Sequence, residues 1–557
     1  TWTGPIAGGL TRTYDEGLRV SRIDVAGASS PILYEYDDDD LITAVGTSAA
    51  DGMLRFARDP ITGRIGGSTF GAAPSAVEDV RGYDGFDELS DVAVSCAGAP
   101  CYAAHYARDA AGQMVEQMET VLGSSRTRRF AYDAAGHLAE VRDGTDTLIA
   151  SYGYDANDNR LTGPGAPSPA TYDAQDRLLA YGTTSFTYTD DGELRTRTTG
   201  AGTPGEETTT YRYDALGNLK QVDLPDGRAI TYLVDGSNRR VGKRIDGALV
   251  RGFIYANPVK PVAMLDGAGE VTAVFHYASR AVVPDLMLRR EGADWIPYRI
   301  VADLRGSPRL VVNATDGSIA QRIDYDEFGR VELDTSPGFQ PFGFSGGLYD
   351  PDTGLVRLGM RDYDAETGRF TAKDPVYFFG LNTNLYAYCF DDPVNLVDPV
   401  GTSPLGRLWE DITDDDPWYV DGAPFIVAGM SYINYEAAGV LDQANLSQDA
   451  RVDLGRTGGQ PGIASGKASD FLPGLSGNPV SPDVTVFKAS NLTTQAQHTL
   501  DATMKAKVTG NEAKTPPVTK KVQDAVTPTG PSAVTDIIIV GSVVTTALLA
   551  WLMFGGK

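Results

Sequence analysis

A short unit of the form aromatic-x-Tyr-Asp-x-x-Gly-x-Leu recurs upstream of residue 330 and constrains the fold more than any other feature. The clear copies lie at Tyr36-Asp37, Tyr132-Asp133, Tyr154-Asp155, Tyr172-Asp173, Tyr188-Thr189, Tyr213-Asp214 and Tyr325-Asp326. Looser copies lie at Tyr14-Asp15, Tyr83-Asp84 and Tyr106. Successive copies are mostly about twenty residues apart, and a fixed period in this range is typical of repeat architectures.

The copy that begins at Phe130 illustrates the structure of one unit. Phe130 and Tyr132 are two residues apart, so they lie on the same face of a strand. Asp133 can accept hydrogen bonds from the backbone that follows it, and Gly136 supplies a positive φ, so the chain reverses. Leu138 then begins the return strand. Each unit is therefore two short strands and a turn, and it is too small to bury its own apolar face.

Stacking of such units removes those faces from water and predicts a mainly β fold of stacked repeats. The alternative is that the Tyr-Asp pairs are turns of an ordinary β domain, which the near-constant spacing disfavours. The content of 63 glycines and 32 prolines suits a turn-rich β protein. Residues 112–122 are the main candidate for a helix upstream of residue 400.

A second feature is the stretch from Gly343 to Gly401, which is dense in turn residues. Two Tyr-Asp pairs are each followed by Thr-Gly, and three Asp-Pro pairs come after them: Tyr349-Asp350, Tyr363-Asp364, Asp374-Pro375, Asp392-Pro393 and Asp398-Pro399. This stretch closely resembles the core-associated block that ends the shell of RHS/YD-repeat proteins, a polymorphic-toxin-type family. In that family the block separates a β-sheet shell from a variable tail, so the resemblance implies that the mainly β body is a YD-repeat β-sheet spiral or shell. Since members of the family are usually longer upstream, we expect a further N-terminal portion before Thr1.

The repeats, this resemblance and the composition divide the chain into five predicted parts. They are a YD-repeat β body (1–335), the RHS repeat-associated core block (336–401), a short mixed segment (402–446), a polar extended arm (447–535) and a transmembrane helix with its tail (536–557). The arm is rich in Ser, Thr, Gly, Pro and Lys, so it can bury little apolar surface.

The membrane-spanning helix is predicted from Ile537 to Phe554, a stretch without charge. As a helix it would be about 27 Å long, close to the thickness of the hydrocarbon layer. Trp551 lies near one end, where interfacial aromatic residues are common. The alternative, a buried core helix, has little protein left to cover it. Lys557 places the end of the chain in the cytoplasm and the body outside, in the periplasm or at the cell surface.

The resemblance also implies a chemical site. In the RHS family, paired DPxGL motifs supply the two aspartates of an intramolecular aspartyl protease that cuts just after the second motif. The matching positions here are Asp374 and Asp398. Two carboxylates close together do not both ionise, so one stays protonated while the other can activate water. Self-cleavage would then fall near Thr402-Ser403.

This chain departs from the family pattern at three positions. The first motif reads DPVYF, with Tyr377 and Phe378 in place of Gly and Leu, and the second reads DPVGT, with Thr402 in place of Leu. The aspartates are therefore present while the residues that shape the turn and the cleavage pocket differ. The alternative is that both Asp-Pro pairs are structural turns only.

The remaining reactive side chains are few. Cys96 and Cys101 are close enough for a local disulfide in an oxidising compartment, whereas Cys389 sits among aromatic residues and is expected to be a buried small hydrophobe. The four histidines are scattered: His105, His137, His276 and His498. We therefore predict no metal site and no cofactor.

The formal net charge of −26 and the lack of a basic stripe argue against nucleic acid as a partner. The sequence favours a membrane-anchored cell-envelope protein whose extracytoplasmic shell serves adhesion, assembly or a structural role. Its partners would be membrane lipid and, outside the cell, proteins or glycans. The second interpretation is a polymorphic toxin whose shell encloses or delivers a membrane-active C-terminal segment. A third is a subunit of a larger membrane complex.

Overall fold

A computed structural model describes part of the chain. The described residues are Ile6, 8–47, 52–72, 75–165, 169–280, 282–380, 382–402, Leu454–Gly455 and Ile463–Ala464. The chain divides into two units, Thr1–Pro424 and Phe425–Lys557. Most of the predicted mixed segment and arm, and the whole predicted helix Ile537–Phe554, lie outside the described residues. Within the described part of the chain, no helix has both the length and the apolar character needed to cross a bilayer.

The first unit begins with a thirteen-stranded antiparallel meander in which every strand pairs with its neighbours in sequence. Its strands are β1 Leu10–Tyr14, β2 Val20–Val25, β3 Ile32–Tyr36, β4 Ile42–Gly46, β5 Met53–Arg58, β6 Ile65–Phe70, β7 Val77–Tyr83, β8 Leu89–Cys96, β9 Ala99–Arg108, β10 Met114–Val121, β11 Ser124–Tyr132, β12 Leu138–Asp143 and β13 Leu148–Ser151. A two-stranded sheet follows, with β14 Gly153–Tyr154 and β15 Arg160–Thr162.

A sixteen-stranded meander of the same kind comes next. Its strands are β16 Thr171–Tyr172, β17 Leu178–Tyr181, β18 Thr184–Tyr188, β19 Leu194–Thr199, β20 Glu207–Tyr213, β21 Leu219–Asp223, β22 Ala229–Val234, β23 Arg240–Ile245, β24 Ala248–Tyr255, β25 Pro261–Leu265, β26 Val271–His276, β27 Leu286–Glu291, β28 Asp294–Ala302, β29 Pro308–Asn313, β30 Ile319–Tyr325 and β31 Val331–Asp334.

The block after the repeats is a small four-stranded sheet with three short 3-10 turns. Its strands are β32 Leu348–Asp350, β33 Leu355–Leu358, β34 Arg361–Asp364 and β35 Arg369–Phe370, and its 3-10 turns are Phe344–Gly346, Tyr377–Gly380 and Cys389–Asp391. In the second unit the described residues form one two-residue pair, β36 Leu454–Gly455 with β37 Ile463–Ala464. The fold is thus mainly β with large antiparallel sheets, as the repeats predict.

The aspartate of each repeat closes the turn between two strands. Asp133 Oδ1 accepts the backbone N–H of Ala135 at 2.9 Å and that of His137 at 3.0 Å, while Gly136 has a φ of 93°. The same pair of bonds, to the second and fourth residues that follow, forms at Asp15, Asp37, Asp84, Asp109, Asp155, Asp173, Asp214, Asp235, Asp266, Asp303 and Asp326. Four of these turns lack the tyrosine that directly precedes the aspartate of a repeat, namely those at Asp109, Asp235, Asp266 and Asp303.

In five repeats, and also at Tyr255 and Tyr277 outside them, a tyrosine ties its hairpin to the one before it. Its hydroxyl donates to the carbonyl of the first residue of the preceding return strand. These bonds run from Tyr36 to Val20, Tyr83 to Ile65, Tyr132 to Met114, Tyr154 to Leu138, Tyr172 to Arg160, Tyr255 to Arg240 and Tyr277 to Pro261. The aspartate therefore shapes one hairpin, and the tyrosine stacks that hairpin on its neighbour.

The helix predicted for residues 112–122 is wrong, because this stretch contains strand β10. It pairs with β9 on one side and β11 on the other. In the middle of this strand the burial is inverted relative to polarity, since Gln117 and Glu119 are buried whereas Met118 is 44% exposed. Glu119 is buried because its carboxylate pairs with Arg309 at 2.7 Å. This exchange of polar and apolar positions hides the alternation that identifies a strand in a sequence.

The apolar core joins the two large sheets. Ile32 and Leu54 of the first sheet belong to the same buried cluster as Val274 and Leu310 of the second. Ion pairs cross the same region, and one of them joins Arg299 Nη2 to Asp79 Oδ1 at 3.2 Å. The first sheet therefore packs on the later strands of the second.

The block 336–402 is fastened to the turns and strands of the repeat body. An ion pair joins Arg240 to Asp362 at 2.8 Å. Hydrogen bonds join Arg369 to the side-chain oxygen of Asn159 at 2.8 Å and the Tyr386 hydroxyl to the carbonyl of Gly192 at 2.7 Å. Cation–π contacts with Tyr152, Tyr181 and Phe328 surround the guanidinium of Arg160, which donates to the carbonyl of Glu366 at 2.7 Å. The body thereby fixes the position of the block.

Candidate functional site

The structure brings the two aspartates of the predicted site together on one arginine. Arg361, the first residue of β34, directs its Nη2 to Asp374 Oδ2 at 2.9 Å and to Asp398 Oδ2 at 3.2 Å. All three side chains are buried. Arg361 is 37 residues from Asp398 in the chain, and the Asp-Pro motifs alone gave no signal for it.

Each aspartate also closes a turn of its own. Asp374 Oδ1 accepts the N–H of Val376 at 2.9 Å, and Asp398 Oδ1 accepts the N–H of Thr402 at 3.0 Å. Tyr377 has a φ of 52° and Gly401 a φ of 70°, so both fourth positions are left-handed. The substitution of Tyr377 for Gly therefore leaves the backbone of the first motif in the conformation that the second motif adopts with Gly.

The carbonyl group of Thr402 lies beside this pair. A Cβ atom on Gly380 would be 2.8 Å from Asp374 Oδ2 and 2.8 Å from the carbonyl oxygen of Thr402. The two oxygens thus converge on the space that the missing side chain leaves open. This carbonyl belongs to the Thr402–Ser403 peptide bond, the predicted place of self-cleavage. Gly380 was not identified from the sequence, since nothing in its local pattern signals a close approach.

Arg361 holds the end of the block as well as the carboxylates. Its Nε donates to the carbonyl of Gly401, and its Nη1 donates to the carbonyl of Leu385 at 3.1 Å. Burial lowers the pKa of this guanidinium, and both neighbouring carboxylates oppose the effect. The side chain therefore fixes Asp374, Asp398 and the last described residues of the block relative to each other.

The surroundings of the Asp374 carboxyl group shift its pKa. Burial raises the pKa of Asp374 to about 6, against the opposing charge of Arg361 and the hydrogen bond from Val376. The nearby charge of Asp398 raises this pKa further. Asp374 can therefore gain or lose a proton near neutral pH, which is what a general acid or base requires.

A small cavity lies between these groups. It has a volume of about 10 Å³ and is lined by Arg361, Asp374, Tyr377, Gly380, Asn382, Asn384, Leu385, Ala387, Cys389, Phe390 and Asp398. This is about the space that one water molecule needs. The hydroxyl of Thr402 is buried and has no hydrogen-bond partner among the described residues. Such a position suits an apolar side chain, in line with the Leu of the family pattern.

The other predicted site residues lie apart from this cavity or outside the described residues. Cys96 and Cys101 form a disulfide across the hairpin of β8 and β9. Cys389 is buried, and burial raises the pKa of its thiol. The predicted membrane-spanning residues, Ile537, Trp551 and Phe554, lie outside the described residues. Among the residues that the structure describes, no group of three or more His, Cys, Asp or Glu could hold a metal ion.

The chain is similar to known shell proteins. The sequence profile of the Teneurin YD-shell family matches residues 70–394. Teneurin-4 of Mus musculus is 27% identical over 405 residues, which cover 69% of this chain and 14% of that protein. The double-stranded DNA deaminase toxin A of Burkholderia cenocepacia (strain H111) is 28% identical over 338 residues, which cover 53% of this chain and 22% of that protein. This chain therefore matches less than a quarter of the length of either relative.

A solved structure supports the same fold. The Tc holotoxin pore of Photorhabdus luminescens aligns with a TM-score of 0.51 at 16% sequence identity. The alignment covers 71% of this chain and 20% of that one. At this identity the likeness concerns the fold alone.

Proposed function

The chain belongs to the Teneurin YD-shell family of RHS/YD-repeat shell proteins, and from this premise we propose that it is a self-processing shell. In this proposal the body and block carry the segment that follows Thr402 and cut the Thr402–Ser403 bond. The observation that supports it is the convergence of Asp374 Oδ2 and the carbonyl oxygen of Thr402 on Gly380.

The chemistry of the proposed cut is a hydrolysis by one water molecule. Asp374 in its protonated form donates to the carbonyl oxygen of Thr402. Asp398, which pairs with Arg361 at 3.2 Å, accepts a proton from the water, whose oxygen attacks the carbonyl carbon of Thr402. The C–N bond then breaks, the nitrogen of Ser403 takes a proton, and Thr402 becomes a C-terminal carboxylic acid.

Cleavage would turn residues 403–557 into a separate chain that the shell can release. One relative of the family is named as a toxin. The released chain here would carry the apolar stretch Ile537–Phe554, whose length matches a bilayer. The proposed activity of the released chain is therefore insertion into a target membrane, and the proposed role of the shell is to deliver it.

The test is the intact mass of the purified full chain. We expect two products that meet between Thr402 and Ser403, and a single full-length species for Asp374→Asn and for Asp398→Asn. The matched control is Asp392→Asn, because Asp392 is also buried and also precedes a proline, yet it does not line the cavity. A wild-type chain that stays at full length over days at pH 5–7 would refute the proposal.

A second candidate is that the uncut chain is a membrane-anchored envelope protein. The apolar stretch Ile537–Phe554 favours it, because eighteen uncharged residues suffice to span a bilayer. The body would then lie outside the cytoplasm and serve adhesion, assembly or a structural role, with proteins or glycans as partners. No role in nucleic-acid binding is proposed.

Cell fractionation separates the two candidates. Anchoring predicts that the wild-type body sediments with membranes and that deletion of residues 537–554 releases it. Self-processing predicts that the wild-type body is released already, whereas the Asp374→Asn body sediments with membranes. Both variants can be followed with one antibody against the body.

A further inference from the structure

Two neighbouring aromatic side chains are exposed at the edge of the carboxylate site. Tyr377 is 60% exposed and Phe378 is 65% exposed. Tyr377 also lines the cavity that contains Asp374 and Asp398. Adjacent exposed rings beside a reactive site form an apolar surface that can bind another chain segment.

The backbone conformation of Tyr377 lowers the stability of the folded chain. Its φ of 52° is left-handed, and a residue with a Cβ atom in this region loses roughly 1–2 kcal/mol relative to a right-handed conformation. Glycine would adopt the conformation without that loss. With its ring mostly exposed, Tyr377 gains little burial among the described residues in return. The described contacts of the ring therefore do not offset this loss.

The chain leaves the block next to this surface. Tyr377 and Gly380 are the first and last residues of one 3-10 turn. The carbonyl oxygen of Thr402 is 2.8 Å from the position of a Cβ on Gly380. An extended chain advances at most about 3.6 Å per residue, so the third residue after Thr402 can lie about 10 Å away. That residue is Leu405, the first apolar side chain after Pro404.

We propose that Tyr377 and Phe378 form a docking site for the chain's own residues 403–409, whose sequence is SPLGRLW. Leu405 and Trp409 supply the apolar groups that fit two exposed rings. The proposal rests on the proposed self-cleavage and deepens it, because docking on this side would hold the leaving half of the scissile bond in place. Tyr377 and Phe378 are thus positioning residues that do not take part in proton transfer.

Holding the leaving half has a kinetic consequence. A peptide bond fixed in one orientation near its acid and base reacts faster than a mobile one, because the entropy of orientation has already been lost. Replacement of both rings by serine should therefore slow cleavage by about tenfold or more while Asp374 and Asp398 keep their contacts. The pH dependence of the remaining cleavage should be unchanged, since Asp374 and Asp398 are both retained.

Disulfide trapping tests the docking directly. The full chain carries Asp374→Asn, so that it stays uncut whether or not the wild type cleaves, together with Phe378→Cys and Leu405→Cys. We expect rapid formation of an intramolecular disulfide under mild oxidation. The control pair is Ile61→Cys with Leu405→Cys, because Ile61 is also apolar and 92% exposed but lies in the turn between β5 and β6, outside the block. Equal trapping of both pairs would overturn the proposal, as would trapping of Phe378→Cys only between two molecules.

Limited proteolysis gives a second readout without new cysteines. Trypsin cuts after Arg407, which lies inside the proposed docked segment. In the uncut Asp374→Asn chain, Tyr377→Ser with Phe378→Ser should speed this cut by about tenfold, because proteolysis follows the population of the undocked segment. An unchanged rate would overturn the docking proposal. Neither readout requires self-cleavage, so a chain that docks but never cuts would refute only the proposed function.

Discussion

The hydroxyl group of Tyr132 donates to the carbonyl oxygen of Met114 at 2.7 Å and thereby joins two successive repeats. The same hydroxyl accepts the side-chain N–H of Asn395 at 2.8 Å, and Asn395 Oδ1 accepts the N–H of Met114 at 2.8 Å. A tyrosine that links repeats elsewhere thus also links the body to the block here. The arrangement explains how the block is held in register with the repeats.

This three-way contact predicts an unequal effect of removing tyrosine hydroxyls. Tyr132→Phe leaves both Met114 and Asn395 with an unmade bond, and we expect a loss of about 1–3 kcal/mol in the free energy of unfolding. Tyr154→Phe removes the hydrogen bond from its hydroxyl to the carbonyl of Leu138 and should cost less, about 1 kcal/mol. Urea unfolding of both variants measures the difference. Equal losses would show that the link to the block adds nothing.

The repeat at Thr189 predicts a stabilising double substitution. Thr189 takes the place of the aspartate and accepts the N–H groups of Gly192 and Glu193 at 3.2 and 3.1 Å. In the repeat before it, Asp173 accepts the N–H groups of Gln175 and Arg177 at 2.9 and 3.1 Å and forms an ion pair with Arg177 at 2.6 Å. Thr189→Asp alone would set a carboxylate against Glu193, so we expect no gain or a small loss.

Adding Glu193→Arg to Thr189→Asp recreates the Asp173–Arg177 pair. We expect the double variant to be more stable than Thr189→Asp by roughly 1 kcal/mol. The gain is small because the ion pair is partly exposed and water weakens its attraction. Thermal unfolding of the wild type, both single variants and the double variant gives the coupling between the two positions. A coupling near zero would contradict the view that the aspartate of the turn interacts with the side chain four residues after it.

Much of this fold follows from the sequence because its signals are local. The turn at Asp133 depends on residues within four positions, so its geometry could be predicted. The ion pair between Glu119 and Arg309 depends on two strands of different sheets, and for that reason β10 resembled a helix. At the candidate site, the motifs identified Asp374 and Asp398. Arg361 and Gly380 could not be predicted, because their roles arise only when distant segments meet.

Buried carboxyls in the block predict that stability falls as pH rises. Asp391 is buried, and its Oδ2 has no hydrogen-bond partner among the described residues. Burial raises its pKa to about 7, against the opposing charges of Arg369, Arg160 and His137. Because the ordinary value is about 3.9, the folded chain holds a proton that the unfolded chain loses between these values. This contribution to stability is complete below about pH 4 and lost as pH rises through about 7.

We therefore expect the free energy of unfolding to fall on the order of 2–4 kcal/mol between pH 5 and pH 8. Asp391→Asn, which stays neutral, should flatten part of this slope. The control is Asp226→Asn, because Asp226 is exposed and hydrogen bonds from Arg228 lower its pKa. Urea titrations at each pH measure the slope. If Asp391→Asn leaves the slope unchanged, the carboxyl of Asp391 is ionised in the folded chain throughout this range.

Gly380 gives a sharp test of the convergence on which the proposed cleavage depends. In Gly380→Ala the new methyl group would stand 2.8 Å from both Asp374 Oδ2 and the Thr402 carbonyl oxygen, closer than carbon and oxygen can pack. One of the two oxygens must move, and displacements of about 1 Å can slow a reaction by about a hundredfold. We expect cleavage between Thr402 and Ser403 to slow by at least about tenfold. Gly236→Ala is the control, because a Cβ there has no atom within 4 Å. Cleavage of Gly380→Ala at the wild-type rate, measured by intact mass over time, would show that Asp374 does not act on this carbonyl group.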